Sequence, residues 1–449
     1  MGKQSDIEIL GVDVSTQDVP FRAPLKFGGR VVDGSENINA EVTVRTRSGK
    51  EATGFGSMPL GNVWAWPSKS VEPDQTAEAM RSIAQRVGAV ANDQSELAHP
   101  LDHGIAIQKT FPTIGKEIGA AMGIEEEVPM LAILVAASSI DAAIHDAFGK
   151  ANEINSFNGL SAEFMNHDLS HYLSEEFAGE YLDQYTLREP KETMPLYHLV
   201  GALDPLTEAD IEKPIKDGRP ETLGEWIEAD GLTHLKIKLS GEDLPWDVDR
   251  VVAIDRIAEE TQGRLGREHW FYSLDFNEKC EGVHYVLNFL QQIEQLAPRG
   301  LERIQYIEQP THRDLKKHPI PMHEAAKIKP VVIDESLLDF ESLLLAREIG
   351  YSGVALKACK GHTESLLLAA AAQKYGMFLC VQDLTCPGAS FLHSAELAAR
   401  IPTVAAIEGN GRQYCPAGNA GWKERFPSMF EIEDGTVGTY ALGGVGLGH

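Results

Sequence analysis

The sequence predicts an α/β protein in which a smaller N-terminal α+β module precedes a closed parallel barrel. Strand-like alternation fills the first 60 or so residues, and helical spacing takes over between Gln75 and Lys150. From about residue 194, short β-rich runs alternate with helical stretches at a nearly constant interval.

In the module, Ile7 to Val14 and Ala40 to Arg47 read as strands, with Ser48-Gly49-Lys50 as a turn before Gly54-Phe55-Gly56. Gln75 to Val87 and Pro129 to Lys150 keep helical spacing, the latter through Ile133, Ala136, Ala137, Ile140, Ala143 and Ile144. Residues 1–150 therefore form one unit. Residues 151–192 are polar and aromatic with no clear period, and the sequence leaves them unplaced.

Eight β-rich runs follow within 193–420: Leu196 to Val200, Leu235 to Leu239, Trp270 to Phe276, Ile304 to Ile307, Val331 to Ile333, Val354 to Leu356, Phe378 to Val381 and Val404 to Ile407. Polar residues stand at the ends of the later runs: Lys238, Asp275, Glu308, Asp334, Lys357, Asp383 and Glu408, separated by 37, 33, 26, 23, 26 and 25 residues. That interval is one βα unit, repeated. Eight strands with crossover helices close most economically into a (β/α)7β barrel, an open doubly wound sheet being the alternative. Residues 421–449 form a C-terminal segment.

A net charge of −27 repels phosphate backbones and anionic headgroups, so neither nucleic acid nor a membrane is an expected partner. An anionic substrate then needs a local positive centre. The N-terminus lacks a basic-then-apolar signal, and the cytoplasm is the default compartment. Five cysteines without a CxxC pair argue against a disulfide framework or a structural zinc site.

Charge at the C-terminal ends of barrel strands is where barrel enzymes carry their chemistry. In Leu235-Lys236-Ile237-Lys238-Leu239 the period of two puts both lysines on one face, toward the barrel mouth if the aliphatics face the helices. The same alternation turns Asp275, Asn277 and Glu308 inward, and Asp334 closes its run in the same way. Any one of these carboxylates could be a helix cap. Three from consecutive strands are costly to hold together without a cation, and hard oxygen donors suit Mg²⁺. Lys357 reaches the mouth from a different side than Lys238, and Lys236 beside Lys238 supplies a cationic neighbour of the kind that lowers an amine's pKa enough for it to act as a base. Two lysines flanking a metal-bound carboxylate could move a proton at either face of its α-carbon.

With Lys236-Ile-Lys238, Asp275-Phe-Asn277, Ile307-Glu308-Gln-Pro310, Ile333-Asp334-Glu335-Ser336 and Leu356-Lys357 in order, the chain resembles the enolase superfamily, and within it the muconate-lactonizing subgroup of the mandelate racemase/muconate lactonizing enzyme family. A lysine base acting with magnesium is the established pattern of that superfamily. Ser139 to Lys150 resembles the helix leading into the family's barrel, and Gly443 to Gly448 its closing segment, returning to the cap.

The resemblance implies a TIM-like barrel with an N-terminal capping domain. It implies Asp275, Glu308 and Asp334 as Mg²⁺ ligands, with Glu335 the alternative to Asp334, and Lys238 and Lys357 as acid/base residues aided by Lys236. Substrate contacts are expected from Asn277, Asp383 and Glu408, and from two cap loops, Phe21 to Lys26 and Gly54 to Trp66, with Phe21 and Trp64 chosen among them. The sequence departs from the pattern at Lys360-Gly361-His362, where the family often has paired glycines. It departs again at Glu408-Gly409-Asn410, where dipeptide epimerases carry Asp-x-Asp, and Gln382-Asp383-Leu384 lacks the histidine of acid-sugar dehydratases. Residues 151–192 exceed the usual link and bear on oligomerisation, a homo-oligomer being admitted.

The expected function is abstraction of the proton α to the carboxylate of a small-molecule substrate, through an ene-diolate, leading to racemisation or epimerisation, cycloisomerisation or elimination. A metal-dependent hydrolase or aldolase on a TIM barrel, and a catalytically silent metal-binding barrel, are the alternatives.

Overall fold

The computed structural model describes residues 2–27 and 30–449. Three antiparallel strands, β1 (Ile7–Phe27), β2 (Arg30–Thr46) and β3 (Glu51–Pro59), lie in the order β1-β2-β3. Helices Pro73–Asn92, Pro100–Gln108, Phe111–Ala121 and Met130–Asn152 complete the cap. Glycines at alternate positions of β3 let its backbone rest directly on the last of these helices. A Cβ on Gly54 would come within 2.2 Å of Ala143 O, and one on Gly56 within 2.0 Å of Ser139 O. Met130–Asn152 is long and apolar enough to cross a membrane by composition, but its apolar stretch is 94% buried within the protein.

Eight parallel strands form the barrel: β4 (Met194–Val200), β5 (His234–Lys238), β6 (Phe271–Asp275), β7 (Ile304–Glu308), β8 (Val331–Ile333), β9 (Gly353–Leu356), β10 (Phe378–Val381) and β11 (Ile407–Glu408). Each pairs with its neighbour, and Ile407 and Glu408 of β11 pair with Leu196 and Tyr197 of β4. This closure excludes the open doubly wound sheet. Inside the barrel, Tyr197, Tyr306, Val332, Ala355, Cys380 and Ala406 pack as their own apolar layer, as expected of a filled barrel. β12 (Thr436–Val437) pairs antiparallel with β4.

The unplaced stretch finishes the helix ending at Asn152 and continues as short 3₁₀ turns at Ser156–Gly159, Leu169–His171, Glu175–Phe177 and Leu182–Gln184. Turns of three or four residues carry no periodicity for a sequence to reveal. The C-terminal segment packs back on the cap: Leu447 N donates to Asp146 Oδ1 (2.8 Å), while Asp146 Oδ2 accepts from Phe55 N of β3 (2.8 Å).

The two expected cap loops are largely not loops. Phe21 to Lys26 belong to β1, which pairs with β2 as far as Phe27↔Arg30 after a register shift between Pro20 and Leu25. Gly54 to Pro59 belong to β3, and Asn62–Ala65 is a helical turn. Phe21 to Pro24 have no partner on β2 and bulge out of the ladder, whereas Gly54 to Pro59 are paired with β2 throughout. The long hairpin reaches over to the barrel, where Arg22 Nε donates to Asp217 Oδ2 (2.6 Å) and Leu25 packs with Leu199 and Tyr414.

Candidate active site

Strand alternation brings Lys236, Lys238, Asp275, Glu308, Asp334 and Lys357 to one end of the barrel, all of them buried. Lys236 Nζ is shared among three carboxylates, at 2.8 Å from Glu308 Oε2, 2.9 Å from Glu408 Oε2 and 3.4 Å from Asp275 Oδ2. Lys238 Nζ donates to Asp275 Oδ2 and, at 3.2 Å, to Asn277 Oδ1. Across the mouth, Lys357 Nζ stands 2.7 Å from Asp334 Oδ2 and Lys360 Nζ 3.1 Å from Asp334 Oδ1.

The turns after these strands are built to aim side chains. Asn277, Glu278 and Gln309 all hold positive φ (52°, 65° and 30°), a conformation that non-glycine residues adopt at a cost. The side-chain carbonyl of Gln309 accepts from the backbone of Asp334 (2.9 Å) and Ser336 (3.3 Å), so the turn after β7 fixes the turn after β8.

Six carboxyl groups (Asp275, Glu308, Asp334, Glu335, Asp383, Glu408) face four amines (Lys236, Lys238, Lys357, Lys360). Burial works against the charged form of Asp334, yet Lys357 and Lys360 override it and hold this carboxyl at about 2. Asp275 is likewise depressed, Lys238 and Lys236 outweighing its burial. The others move the opposite way. Burial and the Asp275 charge push Glu308 well above the carboxylate range, burial and Asp334 push Glu335 to about 8, and burial and Glu408 push Asp383 to about 7. The amines thus fall short of neutralising the mouth, and Glu335 Oε2 is buried without a partner.

Crowded hard oxygen donors that raise one another's affinity for a proton, as at Glu308 and Glu335, are of the kind that fits a divalent cation. The oxygens of Asp275, Glu308 and Asp334 do not all come within 4.8 Å of one another. The ammonium of Lys236 stands between the first two.

A cavity of about 760 Å³ opens above this cluster, lined by Trp64, Lys238, Asn277 and Glu335, with Lys26 and Trp246 farther out. Of the expected substrate contacts, Asn277 and Trp64 reach it. Trp64 sits on the helical turn after Gly61, which has positive φ (50°) and whose missing side chain leaves room for Leu384 of the barrel. Its indole lies 4.5 Å from Lys357 Nζ and donates to Glu335 Oε1 (2.7 Å).

Phe21 lines a separate cavity of about 530 Å³ beside Leu384 and Thr385. Asp383 is taken up by the backbone of Thr385, Cys386 and Asn410, and Glu408 by Lys236 and Asn410. These two carboxylates, being consumed internally, brace the mouth. Lys360, Gln309 and Gln382 join the site unannounced by the sequence. Gln382 donates to Glu308 Oε2, and for it strand-end position was the available signal.

The family profile described as "Enolase C-terminal domain-like" matches residues 220–449. Among solved structures, the chain is similar to muconate lactonizing enzyme from Pseudomonas fluorescens complexed with muconolactone, at 18% identity, a TM-score of 0.62, and coverage of 98% of this chain and 96% of that one. It is also similar to a dipeptide epimerase from Enterococcus faecalis V583 complexed with Mg and L-Leu-L-Tyr, at 16% identity, a TM-score of 0.61 and coverage of 98% and 99%. The L-Ala-D/L-Glu epimerase from Bacillus subtilis follows at 17%, 0.60, and 89% of each chain. No curated protein matches the chain.

Proposed function

The chain belongs to the mandelate racemase/muconate lactonizing enzyme family of the enolase superfamily, and from that premise we propose that it abstracts the proton α to a substrate carboxylate, with lysine as the base. The observation that carries this reading is the placement of two buried lysines at the C-terminal ends of β5 and β9, the second and sixth of eight strands and so half a barrel circumference apart, with carboxylates at the ends of the three strands between them.

Asp275, Glu308 and Asp334 are the residues that would hold Mg²⁺. When bound, the ion would offset the negative charge that develops on the substrate carboxylate as its α-proton leaves. Lys236, buried among Glu308, Glu408 and Asp275, is raised well above the usual lysine range because those carboxylates outweigh its burial. It therefore stays cationic and serves as a fixed positive charge rather than a base. Lys238 and Lys357 then approach the α-carbon from opposite sides.

Burial lowers Lys357, but the Asp334 carboxylate overrides burial and holds the amine protonated. Lys357 in this arrangement is poised to give a proton, and it becomes a base when the charge of Asp334 is engaged elsewhere. Trp64, whose ring covers Lys357, and the other cavity residues shape the acid that fits. A metal site with only a structural task has no use for two opposed amines, which counts against a silent barrel.

The test is substrate-dependent proton exchange. Incubated with Mg²⁺ and a library of carboxylic acids in D₂O, the protein should exchange the α-proton of at least one acid, seen by NMR. A library spanning hydroxy acids, N-acyl amino acids, dipeptides and lactone-forming diacids that shows no exchange and no turnover would defeat the proposal.

A further inference from the structure

Away from the barrel mouth, the cap and the 3₁₀-rich segment place Asp102, His167 and His171 together, with one ligand atom of each within 4.8 Å of the others. Among the described residues this is the only group of three carboxylate, imidazole or thiolate ligands that meets so closely. Asp102 lies in the first turn of helix Pro100–Gln108, while His167 precedes and His171 ends the 3₁₀ turn Leu169–His171. The two imidazoles stack with centroids 4.0 Å apart and planes 18° from parallel. Both are exposed, so their rings can swing onto a shared ion and water can complete its shell.

The carboxylate is oriented from behind. Tyr172 Oη donates to Asp102 Oδ1 (2.5 Å) and Asn166 Nδ2 to Asp102 Oδ2 (3.2 Å), Asn166 also reaching Asp6 Oδ1 (2.9 Å). Outer hydrogen bonds of this kind fix the direction of a ligating oxygen. Two imidazoles and one carboxylate form a donor set for a borderline first-row ion, whereas Mg²⁺ prefers all-oxygen sites.

We propose that Asp102, His167 and His171 form a second metal site, selective for a transition ion such as Zn²⁺, which fastens segment 153–192 to the cap. Two ligands come from that segment and the third from a cap helix, so occupancy ties the two together. A site of this composition stabilises the folded state by mass action, because the unfolded chain does not hold its ligands together.

Full-length protein is stripped with chelator, held in excess Mg²⁺ to satisfy the oxygen-rich mouth, and titrated with Zn²⁺ by calorimetry and with Co²⁺ by visible absorption. The expected result is one tightly bound Zn²⁺ per chain, visible Co²⁺ bands, and a Tm raised by Zn²⁺ but not by further Mg²⁺. His167→Gln and His171→Gln, both on exposed positions, should each weaken Zn²⁺ binding at least ~100-fold and abolish the Tm gain, and Tyr172→Phe should weaken it roughly tenfold. Asp275→Asn should leave this Zn²⁺ in place. Zn²⁺ binding that is absent, or undiminished in both histidine variants, overturns the site; specific binding without a Tm gain overturns its role as a clasp.

Discussion

Trp64 Nε1 donates to Glu335 Oε1 at 2.7 Å, so a side chain of the cap holds a carboxylate at the end of the fifth barrel strand. Arg313 closes the same junction, its Nη1 donating to Trp64 O (3.0 Å) while its guanidinium pairs with Glu278. Trp64→Phe keeps the ring over Lys357 but removes the donor, leaving both oxygens of Glu335 without a partner. A loss of ~1–3 kcal/mol in unfolding free energy is expected. Denaturant titration checks this, and a variant as stable as wild type would mean the bond contributes nothing.

The carboxylates of Asp275, Glu308 and Asp334 are expected to act as a set. Asp275→Asn, Glu308→Gln and Asp334→Asn should each lower Mg²⁺ affinity and reduce turnover by at least ~100-fold. Glu335→Gln should spare Mg²⁺ binding, which separates Asp334 from its neighbour as the third ligand. Calorimetric Mg²⁺ titration of the four variants decides the assignment. The opposite ranking of Asp334 and Glu335 would transfer the role.

The barrel was legible because its strands are short apolar runs ended by charge, and each named run coincides with a strand to within a few residues. Lys236, Lys238, Asp275, Glu308 and Asp334 followed from period-two alternation and Lys357 from its place after a strand run, which the closed barrel converts into a common direction. What escaped was decided by tertiary contact. Whether Glu408 is free for substrate or spent on Lys236 depends on a partner six strands away in order, and no local pattern encodes that. Phe21 to Lys26 carries loop-like residues, and β1 takes it in as an unpaired bulge from Phe21 to Pro24 before pairing with β2 resumes at Leu25. Helices Pro100–Gln108 and Phe111–Ala121 went unread too, the latter containing Gly115, whose missing side chain makes room for Ile133.

Glu396 offers a pH test away from the mouth. It is fully buried, Oε1 accepts from Asn155 Nδ2 (2.7 Å), Oε2 has no partner, and burial raises it to about 8 although Arg400 pulls the other way. The folded state therefore keeps a proton that the unfolded chain releases near its ordinary value of 4.5. The sign follows: stability from this group is present at low pH and is lost as pH rises through that interval. Glu396→Gln cannot ionise and should escape the loss, so its Tm should gain on wild type between about pH 5 and about pH 9. Parallel Tm profiles would contradict the assignment.

The two-lysine arrangement is tested most directly by solvent deuterium uptake at the α-carbon of an acid the protein turns over, compared for wild type, Lys238→Ala and Lys357→Ala. For a racemase or epimerase, each variant should lose exchange with one stereoisomer and keep partial exchange with the other, in opposite senses, with turnover down by ~10²- to 10⁴-fold. If only one lysine affected exchange, a one-base elimination or cycloisomerisation would replace racemisation. Near wild-type exchange of both stereoisomers by both variants would contradict lysine-based proton abstraction.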